Sequence, residues 1–227
     1  WIQQRFFSSF KNADLSNSII IPHGINKIKK INLKKKQKNI LFVGKLNYAK
    51  GYHIFSEAAL KFKKINPSWN FIAIGNELRK NIFPDKLIVE EVGYKKNNEV
   101  LDFYTKSEIA VGNSVWDEPL GRIAIEASSR KCLPIISNKG GLAESKNIAI
   151  VLKKNNSNEL VSVLKKVTSN LNYRRTKQNL FYKKNDFDIR IISKKLDKLR
   201  AEIINTKIIK RIKNKKKILH IANFNEN

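Results

Sequence analysis

Short apolar runs alternate along the chain with longer segments whose apolar residues recur every three or four positions. The runs predict strands at 18–21, 39–43, 70–74, 87–89, 109–111, 134–137 and 147–152. The periodic segments predict helices over 50–65, 98–106, 119–131, 157–170, 173–184 and 186–205. The helix over 50–65 places Ile54, Phe55, Ala58, Ala59 and Phe62 on one face, and Pro67 ends it. Pro22-His23-Gly24, Gly44 and Gly75 close the strands before them.

Strands that are apolar throughout, separated by amphipathic helices, predict a parallel sheet covered on both faces. The expected fold is therefore α/β and Rossmann-like, followed by C-terminal helices. Ligands on such a sheet collect beyond the carboxyl ends of the strands. Gly44, Gly93 and the pair Gly140-Gly141 mark exits at that edge. The expected division is an entering segment over 1–17, one domain over 18–205, and a basic linker with a terminal strand over 206–227. In that tail "KILHIA" reads either as the first strand of a further α/β unit or as a strand joining the existing sheet edge. The chain starts at Trp1 and has no Met, so it is expected to be a piece of a longer product, with 1–17 the end of a preceding domain.

Charge adds a question. Lys and Arg number 46 against 19 acids, a formal net charge of +27. A polyanion partner would explain it; so would AT-rich codon usage, since Lys, Asn and Ile are all abundant. The even spread of the charge argues against a dedicated nucleic-acid surface. Residues 27–38 hold seven lysines and residues 205–217 seven Lys or Arg, both without an acid, and both read first as solvated segments. One cysteine, Cys132, excludes an internal disulfide and fits buried packing. No apolar run reaches the ~20 residues of a membrane span, and no signal peptide is evident. A cytoplasmic protein is expected, with attraction to the inner face of an anionic plasma membrane as a weaker expectation.

In so basic a chain, "EPLGRIAIE" sets two carboxylates, Glu118 and Glu126, around a helix start. Pro119 suits a first helical turn, Gly121 permits close approach, and the N–H groups of Gly121 and Arg122 favour an anion. At ~1.5 Å rise per residue the two acids would lie about 12 Å apart along the axis. Two readings are open: a cap and a solvated acid, or a diphosphate ligand held between two hydroxyl-binding carboxylates. In "GKLNYAKG", Lys45 and Lys50 flank a loop leaving a strand at Gly44, as solvated lysines or as diphosphate ligands. Gly93 and Tyr94 in "EVGYKK" form a plain turn or read a nucleobase edge. Trp116 would shield such a site, although an aromatic beside a strand is more often core. "DFD" at 186–188 reads as helix capping, and His23, His53 and His220 lack metal-ligand spacing.

Taken in order, these segments resemble the C-terminal, donor-binding half of GT-B glycosyltransferases, specifically family 4, the "group 1" glycosyl transferases. "ILFVGKLNYAKG" is similar to that family's strand–Gly–Arg/Lys–loop–Lys–Gly segment. "EPLGRIAIEASSRKCLPIISNKGGLAE" resembles its Glu-x7-Glu segment and the Gly-Gly-x-x-Glu turn after it. "IIIPHGIN" is similar to the hinge that enters this half. The resemblance implies a retaining transfer from a nucleotide-diphosphate sugar to a glycan or lipid-linked acceptor, in surface polysaccharide or glycolipid assembly, without a bound metal. It assigns Lys45 and Lys50 to the diphosphate, Glu118 to the transferred sugar and Glu126 to the ribose. Gly44, Leu120, Gly121 and Arg122 would line the donor, with Gly93 and Tyr94 beside the base. An acceptor-binding half, on the missing part of the chain or on another chain, would complete the enzyme. The sequence departs from the family at Lys45, where Arg is more usual, at Lys131 for a common Gly, and at His23 and Asn26 for the usual Asn and Asp of the hinge.

Overall fold

A computed structural model describes residues 2–9, 19–27, 31–77 and 88–205. Six parallel strands form one sheet: β1 (Gln37–Val43), β2 (Asn70–Ile74), β3 (Val89–Glu91), β4 (Ser107–Gly112), β5 (Leu133–Ile136) and β6 (Ile150–Val151). Their order is β3-β2-β1-β4-β5-β6, which reverses between β1 and β4. This is the doubly wound order of Rossmann-type sheets. β1 pairs with β2 in the register Asn39↔Asn70 to Val43↔Ile74, and with β4 through Ile40↔Ile109 to Phe42↔Val111.

The helices are α1 (Ile2–Ser9), α2 (Tyr52–Lys63), α3 (Asn97–Lys106), α4 (Arg122–Ser129), α5 (Ser157–Ser169), α6 (Leu171–Lys184) and α7 (Ile189–Asn205). α2 and α5 pack together over one face of the sheet, where Phe55, Phe62, Leu160 and Leu164 are buried with Phe42 and Phe71. On the other face Val100 and Tyr104 of α3 and Ala127 of α4 pack on Leu41, Ile72 and Ala110. A fully buried Phe or Leu contributes about 1.5–3 kcal/mol, so the strands' apolar runs hold both layers.

Several expected elements differ. Residues 19–24 form no strand; Ile19 and Ile20 are exposed, with no strand beside them among the described residues, and the chain just after them is tied down by the bridge of Ile25 to Asp188 and by Arg130 Nη1 donating to Asn26 O. The last strand shrinks to Ile150–Val151, because Gly140–Asn147 winds into a 3-10 helix. β3 runs two residues later than expected. The lysine-rich segment is not wholly solvated. Lys36 is buried, and its ammonium donates to the carbonyls of Tyr104, Thr105 and Ser107 at 2.9, 2.9 and 2.7 Å. It thereby satisfies the open C-terminal end of α3. The expected strand in the tail and the boundary at 205–206 lie outside the described residues, as does most of 1–17.

Candidate functional site

The strand order reverses between β1 and β4, the point where open α/β sheets bind ligands, and their two exit loops meet there. Gly51, at φ 75°, ends the β1 loop, and a Cβ there would lie 2.0 Å from the carbonyl oxygen of Asn113. Only glycine allows that approach. The Asn113 side chain answers by donating to the Gly51 carbonyl at 2.8 Å. Val115 N–H donates to Ala49 O at 3.0 Å, and the Asn155 amide bonds the carbonyls of Asn113 and Ser114. The two loops are thus stitched into one rigid rim.

On that rim Lys50 Nζ lies 2.7 Å from Glu118 Oε1, with the side chains 30% and 13% exposed. Ser114 Oγ donates to the same oxygen at 2.6 Å. Lys50 Nζ also stands 5.2 Å from the centre of the Trp116 ring, which is exposed rather than part of the core. The segment 117–120 is set from below by the glycine pair after β5. Gly141 N–H donates to Glu118 O at 2.6 Å. A Cβ on Gly141 would meet Pro119 O at 2.0 Å.

Pro119 does not open the helix. α4 begins at Arg122, because Gly121 takes a left-handed conformation at φ 69° that no helix interior accepts. Glu118 therefore lies in the loop, off the axis of α4, and the separation of about 12 Å along one helix axis does not apply. Gly121 and Arg122 remain the N-cap and first residue, where backbone N–H groups have no intrahelical acceptor.

Glu126 sits one turn into α4 and is buried. Arg122 Nη2 pairs with Glu126 Oε1 at 2.7 Å, and Asn97 Nδ2 approaches the same oxygen at 3.4 Å. Burial raises the carboxyl's pKa above its ordinary value, while Arg122 and Asn97 act the other way. A solvated acid on a helix flank does not have this environment. On the neighbouring edge Gly93 O accepts from Gly75 N–H at 2.9 Å, and Tyr94 is exposed. A Cβ on Gly93 would meet nothing within 4 Å, so the backbone there faces open space. Gly75 in turn packs on the Gly44 carbonyl, which joins the exits of β1, β2 and β3.

Of the residues singled out, Lys50 and Glu118 come together, Arg122 and Glu126 form a separate pair in the first turns of α4, and Gly44 and Gly93 lie at the same strand exits. Lys45 is exposed on the loop, and Leu120 is half-buried against the core. Ser114, Asn113 and Asn97 escaped the sequence reading. The dipeptide Asn113-Ser114 directly after the apolar run of β4 was the available signal. The remaining candidates resolve simply. Asp188 Oδ1 accepts from Arg190 N–H at 3.0 Å, a helix cap. Cys132 is buried, and burial pushes its thiol up to about 12. His53 is half-buried with its ring stacked on Tyr48. Among the described residues no group of three or more His, Cys, Asp and Glu is placed to hold a metal, and no helix is long and apolar enough to cross a membrane.

Comparison with known proteins bears on the fold and the family. The chain is 31% identical over 132 residues to spore coat protein SA of Bacillus subtilis, a match covering 51% of this chain and 35% of that protein. The chain thus spans about a third of that relative's length. Anabaena Alr3699/HepE, crystallised with UDP and with UDP-glucose, shares the fold: the UDP complex has a TM-score of 0.64 at 16% identity over 74% of this chain and 49% of that one. WaaG, a glycosyltransferase involved in lipopolysaccharide biosynthesis, gives a TM-score of 0.69 at 17% identity over 89% and 60%. The family model for glycosyl transferases group 1 matches residues 25–181, most of the chain, and the protein belongs to that family.

Proposed function

We propose that the chain is the donor-binding half of a retaining, family 4 enzyme of GT-B architecture, which moves a sugar from a nucleotide diphosphate to a glycan or lipid-linked acceptor. The observation that carries this is the meeting of Lys50, Glu118 and Ser114 at the switch point of the sheet. A cation and a carboxylate at one point suit a ligand with a phosphate beside a polyol.

Lys50 and Lys45 would neutralise the diphosphate, together with the N–H groups of Gly121 and Arg122 at the start of α4. As the glycosidic bond breaks, negative charge grows on the leaving diphosphate, and preorganised cations and dipoles meet it without rearranging. A metal is then unnecessary, and binding should survive chelator. Glu118 would accept hydroxyls of the transferred sugar, and Glu126 those of the ribose. Gly93 and Tyr94 would lie beside the base, on backbone facing open space. The lipopolysaccharide enzyme WaaG among the structural neighbours supports a role in surface polysaccharide or glycolipid assembly, at the cytoplasmic side of a membrane. The acceptor pocket would come from a further half, since the chain spans only part of its relatives.

Calorimetric titration with UDP, GDP and ADP tests the proposal. Saturable binding of one of them is expected, lost in Lys50→Ala and in Glu126→Ala. No binding of any of the three, or binding only to nucleic acid that collapses with added salt, would sink it.

A further inference from the structure

Resting on that reading, we infer that Trp116 is a specificity-determining residue, whose ring receives the apolar face of the sugar being transferred. Trp116 lies between Ser114 and Glu118 on the β4 exit loop, and the residue is 46% exposed. The loop fixes its backbone: Val115 N–H and Trp116 N–H both point to Ala49 O, at 3.0 and 3.4 Å. This partly exposed indole beside a charged pair belongs to neither apolar cluster of the sheet.

What touches the ring is Lys50. Its ammonium stands 5.2 Å from the ring centre and 2.7 Å from Glu118 Oε1. Ring and carboxylate therefore border one position, at present filled by the lysine. A diphosphate on Lys50 would draw the ammonium off the ring and off Glu118 together, trading a cation–π contact for charge-assisted hydrogen bonds. The vacated position then offers a carboxylate to hydroxyls and an aromatic face to C–H bonds. Those are the two surfaces of a pyranose. In the unliganded protein Lys50 acts as a placeholder that keeps both surfaces from being left bare.

The test compares the 227-residue chain with Trp116→Ala and Trp116→Phe, measuring affinity for whichever of UDP, GDP and ADP binds best and for the glucose ester of that nucleotide. Trp116→Ala should weaken the ester relative to the bare diphosphate by roughly five- to tenfold, the scale of one aromatic contact, while the bare diphosphate binds as before or up to about fivefold tighter, because it no longer has to displace the cation–π contact. Trp116→Phe should restore most of the ester's affinity. Equal effects of Trp116→Ala on ester and bare nucleotide, or no effect on either, overturn the inference and leave the nucleotide-binding proposal standing. Failure of all three nucleotides to bind overturns both. A thermal melt unchanged from the parent shows that each variant is folded.

Discussion

Two ionic clusters lie at opposite ends of β4, and they are built to opposite plans. At the amino end Glu108 is buried and saturated. Arg175 grips both its oxygens at 2.6 and 2.7 Å, Arg174 Nε lies at 3.3 Å, and Gln178 donates to it at 2.8 Å. Arg175 also reaches the carbonyl of Leu33, so the cluster ties α6 to the segment entering β1. Beyond the carboxyl end, Glu118 has two donors on one oxygen, in a loop walled by glycines and open to water. Residue types barely differ between the two. A buried carboxylate whose two oxygens are taken by three side chains can only hold elements together, whereas one that keeps capacity beside a partly exposed lysine can exchange partners for a ligand.

The sharpest way to break this comparison is to remove each acid's main partner or the acid itself. Glu108→Ala leaves the buried Arg174 without its carboxylate and should cost about 3–5 kcal/mol in urea denaturation. Lys50→Ala should cost under ~1 kcal/mol there, because its pair is partly exposed, while abolishing nucleotide affinity. If the two variants destabilise equally, the carboxyl-edge cluster is structural and the contrast fails.

A finer test uses pH at Glu126. Its carboxyl pKa is raised above 4.5 by burial. Between 4.5 and that higher folded value the native state holds the proton more tightly, so stability falls as pH rises through the window. Above it the cost of the buried charge is fully present. Glu126→Gln should therefore leave the unliganded protein as stable or up to ~1 kcal/mol more stable at neutral pH. Nucleotide binding that needs the ionised acid should weaken on acidification before ordinary carboxylates protonate, and the Gln variant should lack that component. A Gln variant that binds as tightly as the parent, with the same pH profile, removes Glu126 from the site.

The smallest effect concerns neither cluster. Lys131 has φ 50°, the left-handed position that ends α4, and its Nζ lies 5.0 Å from the Tyr182 ring. Glycine accepts that conformation freely. Lys131→Gly should add a few tenths to about 1 kcal/mol to stability, offset partly by the lost ring contact, with nucleotide affinity unchanged. Destabilisation would mean the contact outweighs the backbone strain.

Much of this was legible locally. The runs 39–43 and 70–74 are strands whose apolar residues are all buried on one face or the other except Val43, which is partly buried. The family resemblance marked Lys131 as standing where glycine is usual, and it takes the left-handed φ of 50° there. The errors have physical causes too. Residues 18–21 have strand composition, yet a strand needs a neighbour, and the sheet ends elsewhere. Pro119 suits a helix start, but the glycine pair after β5 pins residues 117–120 as a loop and delays α4 to Arg122. Trp116 looked like core because aromatics beside strands usually are; only its position outside both apolar clusters shows otherwise.

By itself the sequence determined the order of strands and helices, the glycine exits and the residue types at them, because periodicity and turn chemistry act over a few neighbouring residues. The tertiary structure alone decided that β4 crosses to the far side of β1. That choice depends on which helices cover which face, a matter of packing across the whole chain. It is this crossing that brings Lys50 to Glu118 across 68 positions of sequence, and so makes one site out of two loops.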